Sequence, residues 1–171
     1  TRNITEGMGG YDTHPRFSPD GKRISWISME RDGYEADLKR LFVQDLKTGQ
    51  KTFLTDGFEY DVDELQWSAN SQSIFFLSTK HAEAQLWEIA LKGRKIRQIT
   101  TGMHDYTSLD VQGGKILAGR QSYIEPTDLY LVDVKTGAAK QLTAENKSTL
   151  DGLAPISVEK RWVKTTDGGN M

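Results

Sequence analysis

The chain carries the stretch Leu-Phe-Val-Gln-Asp-Leu-Lys-Thr-Gly at residues 41–49 and a close copy, Leu-Tyr-Leu-Val-Asp-Val-Lys-Thr-Gly, at residues 129–137. A third copy, Leu-Trp-Glu-Ile-Ala-Leu-Lys-Gly, lies between them at residues 86–93. The copies begin 45 and then 43 residues apart, and each is followed at nearly the same distance by a Leu-Thr or Ile-Thr pair. Alternating side chains before a glycine turn predict a strand that enters a hairpin.

A second element precedes each copy and completes the repeat. Turn-forming residues lead into short apolar runs at residues 23–28, 73–78 and 116–119. Each unit therefore contains two hairpins, and no segment shows helical periodicity with caps. A four-stranded unit that recurs every 40–45 residues or so is typical of a β-propeller blade. A β-sandwich is the alternative, but a sandwich has no reason to repeat its turns at a fixed offset.

The repeat predicts an all-β fold, a partial β-propeller of about three four-stranded antiparallel blades followed by a C-terminal linker strand. Three blades do not close a ring of the usual four to eight, so we expect a piece of a longer protein whose outer faces make the isolated chain form homo-oligomers. The predicted segments are the end of a preceding blade at 1–13, blades at 14–55, 64–100 and 107–143, and a connector at 144–171 whose residues 157–164 form the linker strand and residues 165–170 a hairpin turn.

Composition narrows the possible functions. The 22 basic and 24 acidic residues give a net charge of −2 with no basic stripe, which argues against a nucleic-acid partner. The chain has no cysteine, so disulfides, thiol catalysis and cysteine-ligated zinc are excluded. No apolar run approaches the roughly 20 residues that cross a membrane. No histidine pair, calcium loop or phosphate-binding glycine loop is present, and we predict neither a metal nor a cofactor.

Two motifs carry a family resemblance. The sequence His-Pro-Arg-Phe-Ser-Pro-Asp-Gly-Lys at residues 14–22, with the unit that follows it, resembles the WD40-like repeat of TolB and of the prolyl oligopeptidase family. Residues 157–170, Ser-Val-Glu-Lys-Arg-Trp-Val-Lys-Thr-Thr-Asp-Gly-Gly-Asn, are similar to the strand that opens the α/β-hydrolase domain of that peptidase family. The dipeptidyl and acylaminoacyl peptidases of bacteria show the strongest resemblance.

This resemblance implies a propeller that caps the α/β-hydrolase domain of the same parent chain and restricts its peptide substrates. The family's Ser-Asp-His triad belongs to that other domain, and the Gly-x-Ser-x-Gly motif of its nucleophile is absent here. We therefore predict no catalytic residue in these 171 residues. The alternative is a non-enzymatic, TolB-like propeller that binds proteins. A sugar-binding propeller is a third option, but the sequence contains no cluster of aromatic residues that would favour it.

Two loops contain the candidate substrate-gating residues. The first, between the first two predicted blades, has five carboxylates in residues 56–64, a composition able to hold the ammonium of a peptide. The second is an insert at residues 30–40 of the first blade. The simpler interpretations are that residues 56–64 form a solvated charged loop and that the insert is a surface loop held by salt bridges. Relatives that release dipeptides use paired glutamates, and no Glu-Glu pair occurs here. The candidates are Glu59, Asp61, Asp63 and Glu64 in the first loop, and Arg31 and Glu35 in the insert.

Overall fold

Three antiparallel sheets follow one another in a computed structural model that describes residues 2–154 and 156–170. The first sheet contains β1 (Asp12–Phe17), β2 (Arg23–Ser28), β3 (Arg40–Asp45) and β4 (Lys51–Phe53). The middle sheet contains β5 (Leu65–Trp67), β6 (Ser73–Lys80), β7 (Glu83–Ala90) and β8 (Ile96–Gln98). The third contains β9 (Asp105–Tyr106), β10 (Asp110–Gln112), β11 (Lys115–Gln121), β12 (Asp128–Asp133) and β13 (Ala139–Gln141). A short helix, α1 (Lys147–Leu150), follows.

The first two sheets are meanders in which strands adjacent in sequence pair in space, and β10 to β13 of the third sheet follow the same order. In the first sheet, Trp26 of β2 lies opposite Phe42 of β3, which in turn lies opposite Phe53 of β4. The middle sheet repeats this order with eight residue pairs between β6 and β7. The prediction of an all-β chain with repeated antiparallel sheets is therefore confirmed.

The repeated threonines at the ends of the copies have one structural role. The Oγ1 atoms of Thr55, Thr100 and Thr143 accept hydrogen bonds of 3.0, 3.0 and 2.9 Å from the backbone N–H groups of the residues 14 positions earlier. Those residues begin the repeated copies and lie within β3, β7 and β12, so each hydroxyl pairs a backbone donor that the ladder leaves open. The repeat seen in the sequence is thus a repeat of hydrogen-bond partners.

The core lies in the two spaces between sheets. One cluster joins the first and middle sheets, and a second joins the middle and third sheets. The middle sheet is buried on both faces, which explains its continuous apolar run in β6. Polar contacts also cross each space: Trp67 donates its indole N–H to Ser25 Oγ over 2.9 Å, and Val111 donates its backbone N–H to Gln66 Oε1 over 2.8 Å.

The third sheet differs from the predicted blade at its inner edge. Its innermost strand is divided into β9 and β10. The interruption has a local cause: Gly119 donates its backbone N–H to the Ser108 hydroxyl over 3.0 Å, where a regular ladder would use a backbone carbonyl. Both β9 and β10 pair with β11, so the unit keeps its blade-like order.

The predicted linker strand is wrong. The linker strand at residues 157–164 does not form, because no strand within the described part of the chain lies beside it to supply a ladder. Near the N-terminus, residues 5–8 form a turn that is closed by the Met8 N–H donating to the Thr5 carbonyl over 2.9 Å. The predicted hairpin turn at 165–170 is confirmed by the Lys164–Asn170 bridge. Thr1, Pro155 and Met171 of the predicted end segments lie outside the described residues.

Candidate functional site

The antiparallel order of the strands gathers the candidate loops at one end of the sheets. In a four-stranded meander, the connection between the second and third strands and the connection to the next sheet lie at the same end. This end, which we call the insert end, includes both loops that the sequence singled out. Its segments are residues 29–39 (the insert), 54–64 (the first connector), 81–82 (the β6–β7 tip), 99–104 (the second connector) and 122–127 (the β11–β12 loop).

The insert is closed on itself by Arg31. The backbone N–H of Arg31 donates to Asp37 Oδ2 over 2.8 Å, its guanidinium also donates to Asp37, and its Cζ lies 3.8 Å from the centre of the Tyr34 ring. The hydrogen bond from Arg31 holds the pKa of Asp37 below its usual value, so this carboxylate stays ionised. Arg31 is thus engaged within the insert, and the structure gives it a closing role in that loop.

Lys39 ties the insert to the first connector. Its backbone N–H donates to Asp61 Oδ1 over 2.8 Å, and its Nζ donates to Asp63 Oδ1 over 2.8 Å. The Val62 N–H returns a hydrogen bond of 3.0 Å to the Lys39 carbonyl. The hydrogen bond to Asp63 raises the pKa of Lys39, so its charge persists through neutral pH. Lys39 is not among the candidates predicted from the sequence, because its role depends on a contact with Asp63, 24 residues away.

Four of the six candidates line two hollows that share one carboxylate. Glu35 and Asp63 line a hollow of about 360 Å³ beside β1, together with Lys39. Glu59, Asp61 and Asp63 line a second hollow, which also includes residues of the insert. Arg31 and Glu64 line neither hollow. The insert and connector predicted from the sequence therefore meet.

The carboxylates in the hollows divide into occupied and open groups. Asp61 and Asp63 accept hydrogen bonds from Lys39. Glu35 and Glu59 are exposed, and their side chains form no hydrogen bond or ion pair with the described residues. An exposed carboxylate with open lone pairs accepts hydrogen bonds from an ammonium group. Glu35 and Glu59 are accordingly the groups here best suited to bind a cation.

The histidines are dispersed over the insert end and the inner strand. His14 lies in β1, His81 forms the β6–β7 tip, and His104 lies in the segment before β9. Burial lowers the pKa of His104, and the nearby charge of Arg120 lowers it further. Across residues 2–154 and 156–170, no group of three acidic or histidine side chains has the geometry of a metal site. The helices described in this structure include none long and apolar enough to span a membrane.

Comparison with known proteins establishes the family of the fold. The model of the PD40 family, described as the TolB beta propeller domain, matches residues 1–159. The chain belongs to the TolB β-propeller domain family. The three sheets are consequently propeller blades, and the insert end is one end of that propeller segment.

Among curated relatives, the chain is 61% identical over 171 residues to the dipeptidyl-peptidase 5 of Porphyromonas gingivalis. The match covers 100% of this chain and 25% of that protein, so the chain spans about a quarter of its relative's length. The Pyrococcus horikoshii acylaminoacyl peptidase superposes with a TM-score of 0.73 at 20% identity, over 90% of this chain and 23% of that one. A putative TolB from Agrobacterium tumefaciens superposes with a TM-score of 0.64 at 21% identity. That superposition covers 82% of this chain and 51% of that one. The partial-propeller prediction and the resemblance to peptidase propellers are confirmed.

Proposed function

We propose that the protein containing this chain is a serine peptidase of the dipeptidyl-peptidase type, and that these blades restrict the access of peptides to its catalytic domain. The observation that carries the proposal is the 61% identity to a dipeptidyl-peptidase 5 along the whole chain. The partners are then an α/β-hydrolase domain of the same parent chain and peptide substrates. The catalytic triad would lie in that domain.

The insert end supplies the chemistry that such a role requires. An enzyme that releases dipeptides must recognise the α-ammonium group of its substrate, and carboxylates bind this group by charge-assisted hydrogen bonds. The tie between Lys39 and Asp63 fixes the first connector against the insert. Glu35 and Glu59 stay exposed beside this tie. We assign amine binding to these two residues. They would replace the adjacent pair of glutamates that the sequence lacks.

The test uses the full-length protein and matched glutamate variants. Glu35→Gln and Glu59→Gln should raise KM for peptides with a free amino terminus about 3–10-fold with little change in kcat, because each removes binding shared by the ground and transition states. Glu64→Gln is the control, since Glu64 is on the same connector but lines neither hollow. Wild-type KM values in both test variants would contradict the amine-binding assignment, and a full-length protein without peptidase activity would contradict the proposed function.

A second candidate function is a TolB-like propeller that binds another protein and performs no chemistry. The family description and the superposition on a putative TolB favour it. The sequence beyond residue 171 discriminates between the two. A Gly-x-Ser-x-Gly motif between a strand and a helix, about 100 residues further on, would decide for the peptidase, and a further blade in its place would decide for the binding propeller.

A further inference from the structure

The tip of the β6–β7 hairpin has an unusual sequence for its geometry. Its two residues, His81 and Ala82, have φ angles of 54° and 65°. A two-residue hairpin turn with both φ angles positive is normally built from Asn-Gly, because side chains with a Cβ are strained in this region. A histidine that is held in such a conformation points to a contact that the chain keeps at the expense of local stability.

His81 lies between two aromatic rings from distant parts of the chain. The Tyr60 ring of the first connector is 6.2 Å away at 87°, and the Trp162 ring is 4.9 Å away at 86°. Tyr60 packs edge-on against Phe58, whose ring lies 5.2 Å from the buried Trp87. Ring contacts therefore run without interruption from the core of the middle blade to Trp162.

An ion pair lies beside this ring contact. Lys160 Nζ donates to Glu83 Oε1 over 3.0 Å, and the same ammonium lies 5.8 Å from the Trp162 ring. Within the described residues 156–170, this is the one hydrogen bond to the three blades. Residues 156–164, which we call the tail, are otherwise exposed.

The tail is held at these points and not by a packed face. Between it and the blades is a cavity of about 90 Å³, lined in part by Met103, His104, Tyr123 and Val158. A cavity of this size has room for several water molecules. A segment that crosses such a gap depends on its few anchoring contacts for its position.

We propose that His81 and Glu83 form a clasp that fixes the tail across the tip of the middle blade by binding Trp162 and Lys160. The clasp sets the direction of the tail relative to the propeller. In the full-length peptidase, a role that rests on the proposed function, His81 and Glu83 are then positioning residues for the catalytic domain that the tail joins to the blades.

The closing experiment measures tryptic cleavage of the full-length protein after Lys160, Arg161 and Lys164, with the sites mapped by mass spectrometry. The test variant His81→Asn/Ala82→Gly restores the preferred turn residues, so it keeps the hairpin folded while it removes the ring contact. Cleavage should accelerate roughly twofold to tenfold, in line with the strength of an aromatic pair. Ala82→Gly alone, which keeps His81, is the control and should cleave at the wild-type rate.

The second half of the clasp has its own matched pair. Trp162→Ala and Glu83→Gln should accelerate cleavage as the double variant does, whereas Val163→Ala, at a 60% exposed neighbour, should not. Equal cleavage rates in the double variant and Ala82→Gly would overturn the clasp, whatever the peptidase assay gives. Faster cleavage with unchanged kcat and KM for peptides would keep the clasp and overturn its positioning role. A protein with no peptidase activity would overturn the proposed function alone.

Discussion

At the scale of single residues, the repeat is a set of recurring hydrogen bonds. The threonine that ends each unit pairs a backbone N–H, and the aspartate before each Lys-Thr-Gly turn accepts hydrogen bonds from the backbone N–H groups of the lysine and threonine. Asp45 and Asp133 each bind the following threonine N–H, over 2.8 and 2.9 Å. The aspartate contacts join residues two or three positions apart, and the threonine contacts join residues 14 positions apart. Both recur with the repeat that is visible in the sequence.

Removing the Thr100 hydroxyl should open the middle blade locally. Thr100→Val leaves the buried Leu86 N–H without its acceptor, which costs about 1–3 kcal/mol. Native-state hydrogen exchange should therefore show faster exchange of the Leu86 amide. Thr143→Val is the matched control: its partner, the Leu129 N–H, is exposed and can bond to water, so the effect should be smaller. Equal effects at both sites would contradict this explanation.

The turn at Asp133 should make stability depend on acidity. The hydrogen bond from Lys115, with those from Thr136, holds the pKa of Asp133 well below its usual value. A carboxylate whose pKa is lower in the folded than in the unfolded state, about 3.9, stabilises the protein above that pH, and this stabilisation disappears as the pH falls through the folded value. Urea unfolding should show Asp133→Ala less stable than wild type at pH 7, with a difference that shrinks below about pH 4. A stability difference between the two proteins that stays constant with pH would contradict this role of Asp133.

At the scale of elements, adjacent blades meet where a hairpin turn touches the end of the preceding blade's last strand. A Cβ on Gly137 would lie 2.2 Å from the Ile99 carbonyl oxygen. In the middle blade, Arg94 of the equivalent turn donates to the Phe53 carbonyl over 3.4 Å. The same turn therefore serves as an interblade contact at both interfaces.

Substitutions at two glycines of this turn distinguish the effect of backbone strain from the effect of the interblade contact. Gly49 and Gly137 have φ angles of 76° and 73°, but a Cβ on Gly49 would approach only Gln44 Nε2, at 3.8 Å. Gly49→Ala should lower the free energy of unfolding by about 1–2 kcal/mol, from strain alone. Gly137→Ala should lower it by about 2–5 kcal/mol, because the third blade must also move. Chemical denaturation measures both values, and equal losses would show that the contact with Ile99 is unimportant.

The elements also show what the sequence could not provide. The strands of the blades were predictable because hydrophobic alternation and turn residues are local signals. The strand predicted at residues 157–164 failed because a strand needs a neighbour, which no local pattern reveals. The contacts that organise the insert end, Lys39 with Asp63 and His81 with Trp162, join residues far apart in the chain. They depend on the order of the blades, so no local pattern in the sequence predicts them.

At the scale of the whole molecule, the blades differ in what covers them. The middle blade has a neighbour on both faces, whereas the outer face of the third blade exposes Leu117, Leu129 and Leu142 by 38%, 41% and 49%. These leucines lie on one face, since Leu142 pairs with Leu129 and Leu117 lies in the strand beside them. In the first blade, Phe17 is 66% exposed. Such faces are typical of surfaces built to pack on further blades.

The exposed faces predict that the isolated chain of 171 residues forms oligomers at high concentration. Leu129→Lys/Leu142→Lys places charges on the apolar face of the third blade and should shift the chain toward monomers in light scattering. Lys135→Ala, at an exposed position in the turn between β12 and β13 and away from that face, should leave the oligomers unchanged. A clean monomer of the wild-type chain at high concentration would contradict the expected association.

The central claim is that these blades, through the insert end, control which peptides reach a catalytic domain. The most direct measurement compares kcat/KM for a series of peptides of increasing length between the full-length protein and a variant that lacks residues 32–38. We predict that the intact protein cleaves short peptides and discriminates against long ones, and that the deletion weakens this discrimination. An identical length dependence in the two proteins would contradict the claim.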